Sequence, residues 1–237
     1  MFDGKTVVVI GGGSGIGFRV AERVVAGGGR VLIGGRSADR LAGAVERLGP
    51  AAAGRQVDAG STPSVAAFFD RIPRLDHLFT SAACHTLMPI DAIDNHTDDN
   101  PFQVKFWGQY RAVTQALPRL AADGSVVLMG GAAGARPGKG RPAYAACNAA
   151  IEGLGRGLAI DLAPIRVNVV APGMIEGDLW RRQPPELREP ALAGWQAASL
   201  LGRPGTEDEV ADAVVFLMGN RFMTGTTLSP DGGYLLR

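Results

Sequence analysis

Tyr144 and Asn148 stand four residues apart in the run Arg141 to Ala150, RPAYAACNAA. Four residues make about one helical turn, so the two side chains share a face and address the same pocket. A phenol can pass a proton there, and a carboxamide can both donate and accept hydrogen bonds. A second stretch with chemical content is GGGSGIG, Gly11 to Gly17. It follows a β-branched run and opens a helix-period segment. Its glycines let the backbone turn tightly and approach a pyrophosphate, whose charge the free amides at the helix start would meet. The expectation is a dinucleotide site, against the plainer alternative of a tight turn with no ligand.

These residues need elements to position them. Continuous apolar runs lie at Thr6 to Ile10, Arg30 to Ile33, Ala53 to Val57, Leu75 to Phe79, Ser125 to Met129, Val167 to Val170 and Thr226 to Ser229. Helix-period segments separate them, at Gly15 to Ala26, Ser37 to Leu48, Pro63 to Arg71, Pro101 to Ala121, Tyr144 to Leu162 and Glu207 to Met218. Strands buried on both faces and alternating with helices predict an α/β fold, a doubly wound parallel sheet of about seven strands with helices on both faces. No linker or repeat interrupts this order, so residues 1–237 read as one domain. From Met174 to Leu201, Pro184, Pro185 and Pro190 are expected to break any long helix. That stretch reads either as a lid over a pocket at the sheet edge or as a plain surface excursion.

Composition narrows the partners. The formal net charge is +1, with Lys and Arg spread along the chain and no basic stripe. This argues against nucleic acid or a membrane surface and favours a small soluble ligand. The start MFDGKTVVVI has no basic region, apolar core and cleavage site in series, and no apolar span reaches membrane length, so a cytoplasmic location is expected. Cys84 and Cys147 lie far apart and predict two buried free thiols rather than a disulfide or a metal site.

The glycine spacing Gly-x-x-x-Gly-x-Gly resembles that of the short-chain dehydrogenase/reductase family. Further landmarks agree in order: Asp58 after the third strand, NVVAPG at Asn168 to Gly173, and GRPGTEDEVADAVVFL followed by TGTTLSPDGG. The resemblance covers essentially the whole chain and implies a Rossmann-type fold, a dinucleotide cofactor and a homodimer or homotetramer. It assigns Gly11, Gly13, Ser14, Gly15, Ile16 and Gly17 to the pyrophosphate turn, and Asp58 with Ala59 to the adenine side. Ser81 and Ala82 fall in TSAA, where the family has NNAG, and Pro172, Gly173 and Ile175 belong to the segment under the nicotinamide. Gly177 stands where the family usually has a cofactor-contacting threonine. A carboxylate ending the second strand would hold the ribose hydroxyls of NAD, whereas an arginine suits the 2′-phosphate of NADP. Here Gly35 is followed by Arg36, which favours NADP over NAD, the alternative being a solvated loop cation.

The catalytic positions depart from the family. There a tyrosine is the general acid or base, and a lysine four residues later holds the nicotinamide ribose. A serine polarises the carbonyl, and an asparagine on the preceding long helix anchors a water relay. Tyr144 matches the tyrosine, but the lysine position is Asn148, the serine position Gly131 and the asparagine position Lys105. Free tyrosine ionises near pH 10, so abstracting a proton from an alcohol suffers most when the ammonium is lost. Reduction needs a protonated donor and is penalised less. Losing the serine hydroxyl costs about 10²- to 10³-fold in comparable sites. Yet two positions have traded residue types. Lys105 would bring its charge near the vacated ammonium site, leaving Asn148 to bond the ribose; the alternative is a lysine solvated on a long helix.

Three lesser features complete the reading. His85, after the fourth strand, reads as a donor to a substrate carbonyl or as a loop histidine. Arg136, Lys139 and Arg141 read as attractors of a substrate carboxylate or phosphate, or as a solvated loop. Trp107 reads as packing or a subunit contact. The function expected is NADPH-dependent reduction of a small organic carbonyl or activated alkene, with Tyr144 as proton donor. The alternative is a dinucleotide-binding regulatory or scaffold protein without turnover.

Overall fold

The computed structural model describes residues 1–82, 90, 100–181 and 183–237. The chain runs β1 (Thr6–Ile10), α1 (Gly15–Ala26), β2 (Arg30–Gly35), α2 (Ala38–Leu48), β3 (Ala52–Gln56), α3 (Thr62–Phe69) and β4 (Leu75–Thr80). A π-helical turn, Phe102–Phe106, leads into α4 (Trp107–Ala116), followed by β5 (Leu120–Met129), α5 (Pro142–Asp161) and β6 (Arg166–Val170). Then come β7 (Ile175–Glu176), α6 (Asp178–Arg181), α7 (Pro185–Ala198), β8 (Gly205–Thr206), α8 (Glu207–Gly219) and β9 (Thr227–Leu228).

Period-2 alternation builds the layers. Along β1, Val7 and Val9 point to one face and Val8 and Ile10 to the other, and all four are buried. The Val7 face packs with Phe18, Val20 and Val24 of α1 and with Val210, Val214 and Leu217 of α8. The Val8 face packs with Phe68 and Phe69 of α3, Ala112 and Val113 of α4, and Ile151 of α5. The sheet order is β3-β2-β1-β4-β5-β6-β9, with every neighbouring pair parallel. Because strand order reverses between β1 and β4, the crossovers diverge above their carboxyl ends and leave a crevice there.

Two expectations about helices are corrected. The segment Pro101 to Ala121 is not one helix, because Pro118 lies in a 3₁₀ turn that ends it and Leu120 already pairs with Leu75 in the sheet. Conversely, α7 runs through Pro190. Pro185 sits in its first turn, where a missing N–H costs nothing, and buried Trp195 anchors its inner side. No helix among the described residues is long and apolar enough to cross a membrane. Cys147 is buried, its Sγ 3.4 Å from the Pro101 carbonyl oxygen. Cys84 and His85 fall outside the described residues.

Candidate active site

A cavity of about 800 Å³ opens at the carboxyl ends of the central strands, bordered by the glycine turn, Arg36, Lys105, Tyr144 and the segment after β6. The turn is shaped by close backbone approach. Gly11 has φ 89° and a Cβ there would collide with Ser81 Oγ, while one on Gly17 would collide with the Gly11 carbonyl oxygen. Helix α1 has Ser14 at its N-cap, with no side-chain cap hydrogen bond and no acidic residue in its first turn. Its amides are therefore left to meet an anion. Gly13, Ser14, Gly15 and Ile16 border the same space, as do Ala59, Ser81, Ala82, Pro172, Gly173 and Ile175. Asp58 also lines it, with one carboxylate oxygen accepting from the Gly60 amide at 2.9 Å.

Arg36 stands exposed at one end of the cavity. Arg40, which the sequence reading missed, lines the same end one helical turn later, and Ser37 caps α2 between them by accepting from the Arg40 amide. Neither arginine has an ion-pair partner among the described residues. The signal for Arg40 was its four-residue spacing from Arg36.

At the other end Lys105 is only 2% exposed, so the solvated alternative does not hold. The π-helical turn carries it inward. One turn on, buried Gln109 grips the end of β5, donating to the Met129 carbonyl at 3.0 Å and accepting from its amide at 2.8 Å. Lys105 Nζ then donates to the Gly130 carbonyl at 2.9 Å and to Asn148 Oδ1 at 2.5 Å, and sits 4.9 Å from the Tyr144 ring centroid. Asn148 is fully buried and does not border the cavity. Its Nδ2 donates to the Tyr144 carbonyl at 2.7 Å, so the carboxamide is engaged within the protein rather than aimed at a ligand.

Three further features were not legible beforehand. Glu207, the first residue of α8, accepts from the Asp178 amide at 2.7 Å and from Arg181 at 2.9 Å, tying α6 to α8. Its carboxylate fills the space a side chain at Gly177 would need, so the glycine there is matched by a neighbour. Trp180 and Trp195 meet edge to face at 4.6 Å between centroids, and both line the cavity. Tyr234 lines it too and is clasped by Arg136, whose guanidinium lies 4.4 Å over the ring while Tyr234 Oη donates to the Arg136 carbonyl. Arg136 is thus committed to the chain's end. Lys139 and Arg141 line the cavity without an ion pair among the described residues. No cluster of described His, Cys, Asp or Glu side chains could hold a metal.

A family model described as enoyl-(acyl carrier protein) reductase matches residues 11–235. The chain is 30% identical to the short-chain dehydrogenase/reductase malC of Malbranchea aurantiaca, covering 99% of this chain and 96% of that one. A solved short-chain type dehydrogenase/reductase from Mycobacterium ulcerans superposes with TM-score 0.91 at 29% identity, covering 100% of this chain and 91% of that one. A small-chain dehydrogenase described in complex with NADPH superposes with TM-score 0.85 at 29% identity, covering 98% and 99% of the two chains. On the matched span, the sheet order and these likenesses, the chain belongs to the short-chain dehydrogenase/reductase family of oxidoreductases.

Proposed function

We propose that the protein reduces a small organic carbonyl at the expense of NADPH, with Tyr144 as proton donor. The observation that carries this reading is a buried ammonium beside a cleft-lining phenol, at the far end of a cavity whose near end has a glycine cradle and two unpaired arginines. The residues suit the cofactor. The Gly11 to Gly17 turn and the α1 amides would take the pyrophosphate, Asp58 the adenine side, and Arg36 with Arg40 the 2′-phosphate. The likeness to a dehydrogenase described with NADPH supports the same choice. When bound, the reduced nicotinamide supplies a hydride. Tyr144 Oη would hold the proton that the substrate oxygen receives, and Lys105 would keep positive charge next to it. Trp180, Trp195 and Tyr234 would exclude water from the substrate side. Asn148 acts in this reading as a positioning residue for Lys105. A cytoplasmic, single-domain homodimer or homotetramer fits, with Trp107 and Tyr110 on α4, 44% and 43% exposed, as the surface to be covered.

The test is a fluorescence titration of the purified protein with NADPH and with NADH. Saturable binding, clearly tighter for NADPH, is expected. Binding of neither would remove the reading altogether, and tighter NADH would overturn the role given to Arg36 and Arg40.

A further inference from the structure

A lysine ammonium has three N–H donors and no acceptor. In Lys105 one goes to the Gly130 carbonyl and one to Asn148 Oδ1, which leaves one, on an atom buried within a residue that borders the cavity. Both partners are neutral, and no carboxylate among the described residues pairs with it. A buried charge with only neutral partners is costly to keep and strongly favours any anion brought beside it. Gly131 bears on the same point. A Cβ at that position would lie 2.8 Å from Asn148 Oδ1, the oxygen that holds Lys105. A side chain at 131 would therefore oblige the Asn148 carboxamide to shift away from its present contact with Lys105.

We propose that Lys105 is the oxyanion donor of this site: its remaining N–H takes the substrate's carbonyl oxygen, and Gly131 is the positioning residue whose missing side chain lets Asn148 hold the ammonium there. The assignment rests on the reductase reading for its chemistry. The carbonyl carbon gains a hydride drawn from the reduced dinucleotide, which is oxidised, and the C=O π pair moves to oxygen. That oxygen takes the proton of Tyr144 Oη while Lys105 stabilises it and keeps its own three protons. Tyr144 is reprotonated from solvent after the alcohol leaves. The three departures at 105, 131 and 148 thereby form one linked arrangement, in which the donor to the developing alkoxide comes from the helix rather than from the loop after β5.

The aromatic lining suggests a probe. Benzoate mimics the charged oxygen of a reduced aldehyde, and benzyl alcohol is its neutral counterpart. Calorimetric titration of both, with and without NADP⁺, is made on the wild type, Lys105→Met and Gly131→Ser, with circular dichroism confirming that each variant is folded. Benzoate is expected to bind the wild type about 10- to 100-fold tighter than either variant, while benzyl alcohol changes less than about threefold. A merely structural lysine would weaken both ligands alike. Benzoate binding that is absent, or equal in wild type and Lys105→Met, overturns the assignment, and so does tighter binding by Gly131→Ser. If benzoate binding depends on Lys105 yet no carbonyl is turned over with NADPH, the anion site stands and the reductase reading alone falls.

Discussion

Tyr144 is the residue on which the proposed turnover depends most directly. Tyr144→Phe keeps the ring beside Lys105 and removes only the transferable proton, so carbonyl reduction should fall by about 10²- to 10⁴-fold with NADPH affinity nearly unchanged, as steady-state kinetics and a binding titration would read. At the other end of the cavity, Arg36→Ala should weaken NADPH by about 10- to 100-fold and leave NADH within a few-fold, because in the proposed site only the 2′-phosphate uses that charge. Equal losses for both cofactors would contradict it. Tyr144 and the glycine turn were legible from residue type and spacing, and the trade between positions 105 and 148 was legible through the family resemblance. The inward course of Lys105 was not, since a lysine on a long helix ordinarily extends into solvent. What decides it is the π-helical turn and the Gln109 clasp on Met129, neither of which has a periodicity signal. Glu207 was hidden for another reason: an acidic residue opening a helix reads as a favourable charge at the N-terminus, not as a filler for the space at Gly177.

At the scale of elements, α6 and α8 are joined through one carboxylate. Glu207→Ala should take the Glu207 acceptor from the Asp178 amide and leave Arg181 only its ion pair with Asp178, raising the Kd for NADPH several-fold and costing about 1 to 3 kcal/mol in unfolding, because a backbone donor loses a buried acceptor. The start of α8 is fixed separately by a capping box, in which Thr206 Oγ1 accepts from the Glu209 amide and Glu209 accepts from the Thr206 amide. Arg203, followed by the Thr206 amide, holds the Glu209 carboxyl at about 2, so this cap stays charged at any ordinary pH. Thr206→Ala should cost about 1 kcal/mol in denaturant unfolding, without the cofactor effect of Glu207→Ala. Strands were the most legible elements: β1 is a continuous apolar run after Thr6, and β4 and β6, although they carry Asp76, His77, Thr80, Arg166 and Asn168, are buried along their whole length. Helix limits were less so. Apolar content continues from α4 into β5, and only Pro118 and the pairing of Leu120 with Leu75 mark the change, while Pro190 lies inside a helix whose packing outweighs one lost hydrogen bond.

For the molecule as a whole, acid stability has an identifiable source at the opposite end of the sheet from the cleft. His77 is buried at the start of β4, bonded through Nδ1 to Ser125 Oγ at 2.8 Å and packed edge-on against Phe2. Burial, opposed in part by neighbouring Asp76, lowers its pKa from 6.5 to about 4. The unfolded chain therefore binds a proton that the folded one refuses, so stability is fully present above about pH 6.5 and is lost as pH falls to about 4, by about 2 to 3 kcal/mol. Burial would raise the Asp76 carboxyl, but the Thr6 amide and Lys5 outweigh it and hold it low, adding a loss only at still lower pH. Urea midpoints measured across this range should fall less steeply for His77→Asn than for the wild type, and an unchanged slope would clear His77 of the effect.

The most direct test of the central claim is NADPH consumption, followed by absorbance, when a panel of small aldehydes and ketones is added to the wild type and to Tyr144→Phe. Carbonyl-dependent consumption by the wild type, reduced at least about a hundredfold in the variant, is the predicted result. No consumption with any carbonyl despite saturable NADPH binding, or equal rates in the two proteins, would contradict a reductase working through Tyr144.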